Sequence, residues 1–128
     1  MEPEINKPNT RGVAHIFDAF GYSMKGLAAA LKYEEAFRLE LIAAVFLLPL
    51  AIWLGQSASE MALLIGSLFI VLLVELINSA IEAVVDRIGT EHHELSGRAK
   101  DLGSAAVFIS QMNVVLIWGL FIYERFDV

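Results

Sequence analysis

Three apolar stretches, each long enough to cross a bilayer, constrain this chain more than any other feature. They run from Ala36 to Leu54, from Met61 to Val85 and from Leu102 to Tyr123. A helix needs about 20 mostly apolar residues to span a hydrocarbon core, and all three meet that length. Inside lipid the backbone must satisfy its own hydrogen bonds, so the predicted fold class is all-α, an integral-membrane helical bundle. Pro49 in the first span is compatible with this, because membrane helices tolerate kinks when neighbours satisfy the freed carbonyl. Hydrophobic residues make up 57% of the 128-residue chain, against about 45–50% in a typical soluble domain. The length allows one domain, 1–128.

Charge and composition exclude several function classes. The formal net charge is −6, whereas a nucleic-acid partner calls for a basic face. The chain has no cysteine, which removes disulfide frameworks and thiolate chemistry. Ser57-Ala-Ser59 resembles small residues at a leader cleavage site. The apolar core before it is about twice too long for a leader, so the first span is expected to be retained.

Residues 1–10, with Pro3 and Pro8, are expected to be flexible. From 11 to 33 an amphipathic surface helix is predicted. Val13, Ile16, Phe17, Phe20, Met24, Leu27 and Leu31 fall within a stripe about 100° wide, opposite Arg11, His15, Asp18, Tyr22 and Lys25. Gly21 or Gly26 is a candidate interruption. With a span following directly, this helix is expected to lie in the headgroup plane. Lys7, Arg11, Lys25, Lys32 and Arg38 precede or open the first span, and the turn from Gly55 to Glu60 has no lysine or arginine. Arg87, Arg98 and Lys100 lie in the 86–101 connection. The positive-inside rule therefore places the N-terminus and the 86–101 connection in the cytoplasm.

The chemistry concentrates at the end of the second span, in Glu75-Leu-Ile-Asn78-Ser79-Ala-Ile-Glu82-Ala-Val-Val-Asp86. On a helix, Asn78, Glu82 and Asp86 fall at about 300°, 340° and 20° from Glu75, so one face carries every strongly polar group. An acidic stripe continuous with a membrane span is costly to bury and marks a functional site. From the outer end of its helix Glu75 lies about 21 Å into a core about 30 Å thick, with Glu82 about 10 Å and Asp86 about 16 Å nearer the cytoplasm. A buried carboxylate at that depth suits a general base. Glu82, nearer the water, suits a divalent cation, and hard carboxylate oxygens favour magnesium.

Other polar groups admit plainer readings. Glu34 and Arg38 share a helix face as an i,i+4 interfacial pair, and Glu40 is placed to snorkel toward the interface. His92-His93-Glu94 lacks the HExxH spacing of a zinc site and reads better as solvent-facing or nucleotide-contacting. No glycine-rich phosphate loop occurs, so any nucleotide site must be built from other parts. Ser104, Ser110, Gln111 and Asn113 in the third span are expected to hydrogen-bond across helices.

Three segments now resemble a known family. Glu75 to Asp86 is similar to the signature of the prokaryotic integral-membrane diacylglycerol kinases. Gly21-Tyr-Ser-Met-Lys-Gly-Leu27, and the run from Arg87 to Ala106, agree with the same family at the same spacing. The resemblance implies a homotrimer with three transmembrane helices and one surface helix per subunit, in the bacterial cytoplasmic membrane. It implies transfer of the γ-phosphate of Mg-ATP to the hydroxyl of diacylglycerol, giving phosphatidic acid. Carried onto this chain, Glu75 is the general base, and Glu34 and Glu82 hold Mg2+. Lys100 and Asp101 contact the phosphates, and Tyr22, Glu91, His92 and His93 line the nucleoside pocket. Asn78 orients groups around the base, with Asp86 in support. Ala36, Phe37, Arg38, Leu39, Glu40 and Ser104 line the lipid groove.

Departures from the family pattern carry expectations too. His15 stands where the family usually has an arginine that helps hold ATP, so weaker nucleotide binding is expected at neutral pH. Met24 replaces a usual tryptophan. Gln111 and Asn113 are more polar than the family's third span generally is.

Two alternative functions remain at this point. Undecaprenol kinases share the central signature, although the Gly21–Leu27 segment is closer to the diacylglycerol enzymes. A small proton-coupled transporter would also use an intramembrane carboxylate. It would have no need of Glu82, Asp86, Lys100 and Asp101 clustered beside Glu75.

Overall fold

A computed structural model describes residues 11–127. The 1–10 segment, where flexibility is expected, lies outside the described residues. Four helices follow in order: α1 (Val13–Tyr33), α2 (Glu35–Leu54), α3 (Ala58–Ile88) and α4 (Glu94–Phe126). No strand occurs among the described residues. The all-α expectation is borne out, and α2, α3 and α4 are each long and apolar enough to cross a membrane.

Local chemistry sets the breaks between helices. At the start of α3, the Ser57 hydroxyl accepts from Glu60 N–H at 3.2 Å, and Glu60 Oε2 accepts from Gln56 N–H at 2.6 Å. This is a variant of the capping box, in which the glutamate reaches the N–H one residue before the cap rather than that of the cap itself. The small residues around Ser57 therefore cap a helix. The α3–α4 connection is shorter than the 86–101 expected, since α4 already begins at Glu94. The cap of α4 explains the difference: His93 Nδ1 accepts from Leu95 N–H at 3.1 Å. The helix α1 runs unbroken through Gly21 and Gly26, and α2 continues through Pro49.

The central element is α3, with α4 packed along it and α2 packed on it over a shorter stretch, where α2 also meets α4. Ala51, Leu54, Leu64, Leu68 and Trp118 form the buried core, in the half of the bundle near the α2–α3 turn. Its polar atoms are satisfied. Trp118 Nε1 donates to Ser67 Oγ at 3.2 Å, and Ser67 Oγ donates to the Leu64 carbonyl at 2.7 Å. At that same end Trp53 stacks obliquely on Phe126, with the Arg125 guanidinium over the Trp53 ring at 5.5 Å. Aromatics with a cation at helix ends suit a membrane–water boundary. Along α1, Val13, Ile16, Phe17, Phe20, Met24, Leu27 and Leu31 are all exposed, while Ala30 is buried.

The far half of the bundle, toward the ends of α1 and α3, holds the polar groups.

Candidate active site

The polar face of α3 turns inward. Glu75 is 5% exposed and Asn78 7%, values that apolar core residues usually have. Burial removes Glu75 from water, and the carboxylates of Glu40, Glu82 and Glu34 all add negative potential around it. Four carboxylates thus converge from the α1–α2 junction, α2 and α3.

Asn78 links two parts of this region. Its Nδ2 donates to Glu82 Oε1 at 3.2 Å, one helical turn further along α3. Its Oδ1 is buried with no hydrogen-bond partner. That oxygen packs against Gly103 of α4, where a side-chain carbon would collide with it. Gly103 is thus a point of close contact between α3 and the site end of α4. A glycine inside an otherwise helical polar-to-apolar transition was the available signal.

Glu34 is the one residue between α1 and α2. Its expected i,i+4 partner is engaged elsewhere. Arg38 Nη1 donates to the carbonyls of Leu31 and Lys32 at 3.0 and 3.1 Å, closing the C-terminal end of α1. Carbonyls at a helix end lack intrahelical donors and attract a guanidinium, which explains the choice. Glu34 is left to line a cleft of about 610 Å³ between α1 and α3, with Ser23, Tyr33, Ser79 and Ala83 among its walls.

A second cleft, of about 460 Å³, lies at the α3–α4 connection. It brings together Asp86, Glu91, His92, His93 and Lys100. Lys100 Nζ meets Asp86 Oδ1 at 2.8 Å, fixing the head of α4 to the end of α3. Both side chains stay substantially exposed, so the pair adds about 1 kcal/mol or less to stability. Five of the residues singled out from sequence therefore share one wall-to-wall site.

The remaining candidates are dispersed. Tyr22 is half-buried on α1 with the Lys25 ammonium over its ring at 5.7 Å. His15, two turns earlier, is exposed, and so is Asp101 on α4. Neither His15, Tyr22 nor Asp101 lines the two clefts. On α2, Phe37 is buried, Arg38 and Glu40 are half-buried, and Ala36 and Leu39 are exposed, as is Ser104 on α4. Among the polar residues of α4, Gln111 does bond across helices, donating from Nε2 to Glu40 Oε1 at 3.1 Å. Ser110 instead donates to the Val107 carbonyl of its own helix at 2.6 Å. A short hydroxyl meets its own helix backbone more easily than a neighbouring helix.

A buried acidic face on a membrane-length helix, continuing to a cleft that holds Lys100 and two histidines with no phosphate loop, raises the question of kinship. A family model for prokaryotic diacylglycerol kinase matches residues 21–122. The chain belongs to the prokaryotic diacylglycerol kinase family. It is 52% identical over 118 residues to the diacylglycerol kinase of Escherichia coli (strain K12), covering 92% of this chain and 97% of that protein. Identity to the diacylglycerol kinase of Haemophilus influenzae is also 52%, over 110 residues, covering 86% and 93% respectively. For the diacylglycerol kinase of Helicobacter pylori (strain 26695) it is 44% over 115 residues, covering 90% of each chain. Membership bears out the resemblance read from the Glu75–Asp86 signature. It makes this chain a multi-pass membrane kinase and sets the transporter reading aside.

A kinase of this family implies a nucleotide with an attendant cation, and the donor set can be tested against one. No group of three or more His, Cys, Asp and Glu side chains poised for a metal occurs among the described residues. Magnesium bound with a nucleotide needs no such group, because one or two carboxylates and the phosphate oxygens usually suffice. Glu34 has no hydrogen bond or ion pair to its carboxylate among the described residues, and Glu82 has one oxygen engaged by Asn78. Hard oxygen donors in a region of surplus negative charge fit that cation.

Proposed function

We propose that this chain transfers the γ-phosphate of ATP to the free hydroxyl of 1,2-diacylglycerol, giving phosphatidic acid and ADP. The observation that carries the reading is the inward burial of Glu75 on a membrane-length helix whose polar face continues to the Asp86–Lys100 cleft. A lipid alcohol can approach from the bilayer while a nucleotide approaches from the water.

In this mechanism the Glu75 carboxylate accepts the proton of the lipid hydroxyl. That oxygen forms the new bond to the γ-phosphorus, and the bond from phosphorus to the bridging oxygen breaks, so the bridging oxygen leaves with ADP. Phosphoryl transfer needs positioning and charge stabilisation more than covalent help from the protein. Lys100 and Asp101 contact the phosphates, with the lysine offsetting their charge. Glu34 and Glu82 would hold Mg2+, which supplies further neutralisation of phosphate charge when bound. Asn78 fixes Glu82 through its amide and is thereby also a neighbour of the base. His15, Tyr22, Glu91, His92 and His93 surround the nucleoside, with Asp86 holding Lys100. The acyl chains lie along Ala36, Phe37, Arg38, Leu39, Glu40 and Ser104.

The proposed setting is the bacterial cytoplasmic membrane, with the N-terminus and the 86–101 region in the cytoplasm, as the distribution of lysine and arginine favours. A homotrimer would cover part of the apolar surface that α2, α3 and α4 leave exposed.

Phosphate incorporation from labelled ATP into lipid alcohols in mixed micelles tests this function. Diacylglycerol is expected to be turned over and undecaprenol to be a poor acceptor. Glu75→Gln should abolish turnover while the protein elutes at an unchanged size. Full activity in that variant would remove Glu75 from the mechanism, and preference for undecaprenol would change the substrate.

A further inference from the structure

We propose that Arg38 is a positioning residue for the nucleotide's cation, gripping the carbonyls on both sides of the α1–α2 joint so that Glu34 stays at the α1–α3 cleft. The proposal rests on Glu34 holding that cation. Its support is a set of bonds around one residue of extended backbone.

Glu34 alone separates the two helices, and its φ of −112° and ψ of 101° turn the chain from one axis to the other. Both of its backbone groups are engaged. Its N–H donates to the Ala30 carbonyl at 3.0 Å, and its carbonyl accepts from Arg38 N–H at 3.1 Å. Arg38 then reaches back over the joint, where Nη1 donates to the Leu31 and Lys32 carbonyls at 3.0 and 3.1 Å. One residue of α2 thereby holds three carbonyls, two in the last turn of α1 and one at the joint itself. A guanidinium suits this task, because its donors form a rigid planar fork that loses little freedom on binding.

The helix α1 needs such a fastening. Ala30 is its one buried residue, and it packs mainly on α2. An element with few buried apolar contacts is loosely held unless specific bonds tie it down. The consequence reaches the chemistry through Glu34. This residue lines the cleft of about 610 Å³ whose far wall includes Ser79 and Ala83 of α3. Glu82, the other residue proposed to hold the cation, belongs to that same helix. A change in the α1–α2 angle therefore moves one carboxylate against the other. Magnesium requires near-ideal octahedral geometry, so a small displacement of a ligand weakens its hold.

Arg38→Met keeps an apolar stem and removes the donors. It should raise the Mg2+ concentration for half-maximal turnover about tenfold, the low end for losing a group that orients a metal ligand. The KM for diacylglycerol should change less than about twofold, since the lipid is bound by other contacts. Binding of Mn2+ beside a non-hydrolysable ATP analogue, read from loss of the free-ion EPR signal, should weaken by the same factor with no turnover involved. Arg38→Lys, which keeps a cationic donor without the fork, should fall between the two, and it carries the test if Arg38→Met does not fold. In a Glu34→Gln background, Arg38→Met should weaken Mn2+ binding no further. Parental Mn2+ binding in the folded Arg38 variants overturns the proposal. So does a change confined to the KM for diacylglycerol, which would leave Arg38 with the acyl chains alone. An equal loss from Arg38→Met with and without Glu34 overturns it as well. If Glu34→Gln weakens Mn2+ binding and Arg38→Met does not, only the positioning role fails. Parental binding in Glu34→Gln removes the metal role of Glu34, and the Arg38 role with it.

Discussion

Lys100 separates stability from chemistry. Its bond to Asp86 is short, yet both partners are open to water. An exposed pair of this kind contributes about 1 kcal/mol or less to folding. If the lysine balances phosphate charge during transfer, its removal acts on rate. Lys100→Ala is expected to reduce turnover roughly 100-fold or more while shifting the thermal midpoint by only a few degrees. Melting the detergent-solubilised protein beside a radiolabel assay checks both halves. Lys100 takes its place from the family resemblance, whereas a carboxylate on an apolar helix is conspicuous by itself. Glu75, Asn78 and Glu82 were readable from their angles on one helix. Arg38 was not, since its true partners are backbone carbonyls that no side-chain spacing reveals. The Glu40–Gln111 bond was half legible: an interhelical role for Gln111 follows from its polarity, but its partner depends on how α2 and α4 sit across α3.

Among the elements, the α3–α4 contact is the least forgiving. Gly103 presses against the Asn78 amide, and the amide oxygen has no other partner. Even one added methyl must displace Asn78, and with it the bond to Glu82. Gly103→Ala is expected to cost about 1–3 kcal/mol, the usual range for overpacking a tight contact. A smaller residue opposite should relieve it, so Gly103→Ala combined with Asn78→Ser should be more stable than the sum of the single changes. Unfolding midpoints of the four proteins give the coupling directly. Activity should not return with stability, because serine does not restore the amide. The helices themselves followed from apolar length. Their ends did not, because caps such as Ser57 with Glu60 and His93 with Leu95 are local bonds that hydropathy does not register.

For the whole molecule, the absence of cysteine makes sidedness directly measurable. Gln56→Cys lies in the turn between α2 and α3, and Thr90→Cys in the connection between α3 and α4. With the proposed orientation, a membrane-impermeant maleimide should label Cys at position 56 in intact spheroplasts. Position 90 should react only after permeabilisation. The opposite pattern would invert the protein and put the nucleotide cleft on the wrong side for cytosolic ATP.

One residue, Glu34, is all that separates the helix with the exposed apolar stripe from the first spanning helix. Such a joint has no slack. As host lipids become longer or shorter, α1 must ride at a different height relative to α2, and the carboxylate at the joint is carried along. On the proposed metal role of Glu34, the magnesium concentration giving half-maximal turnover should therefore drift with acyl-chain length in vesicles of a single phospholipid. Bilayer thickness would then act on this kinase through its metal requirement.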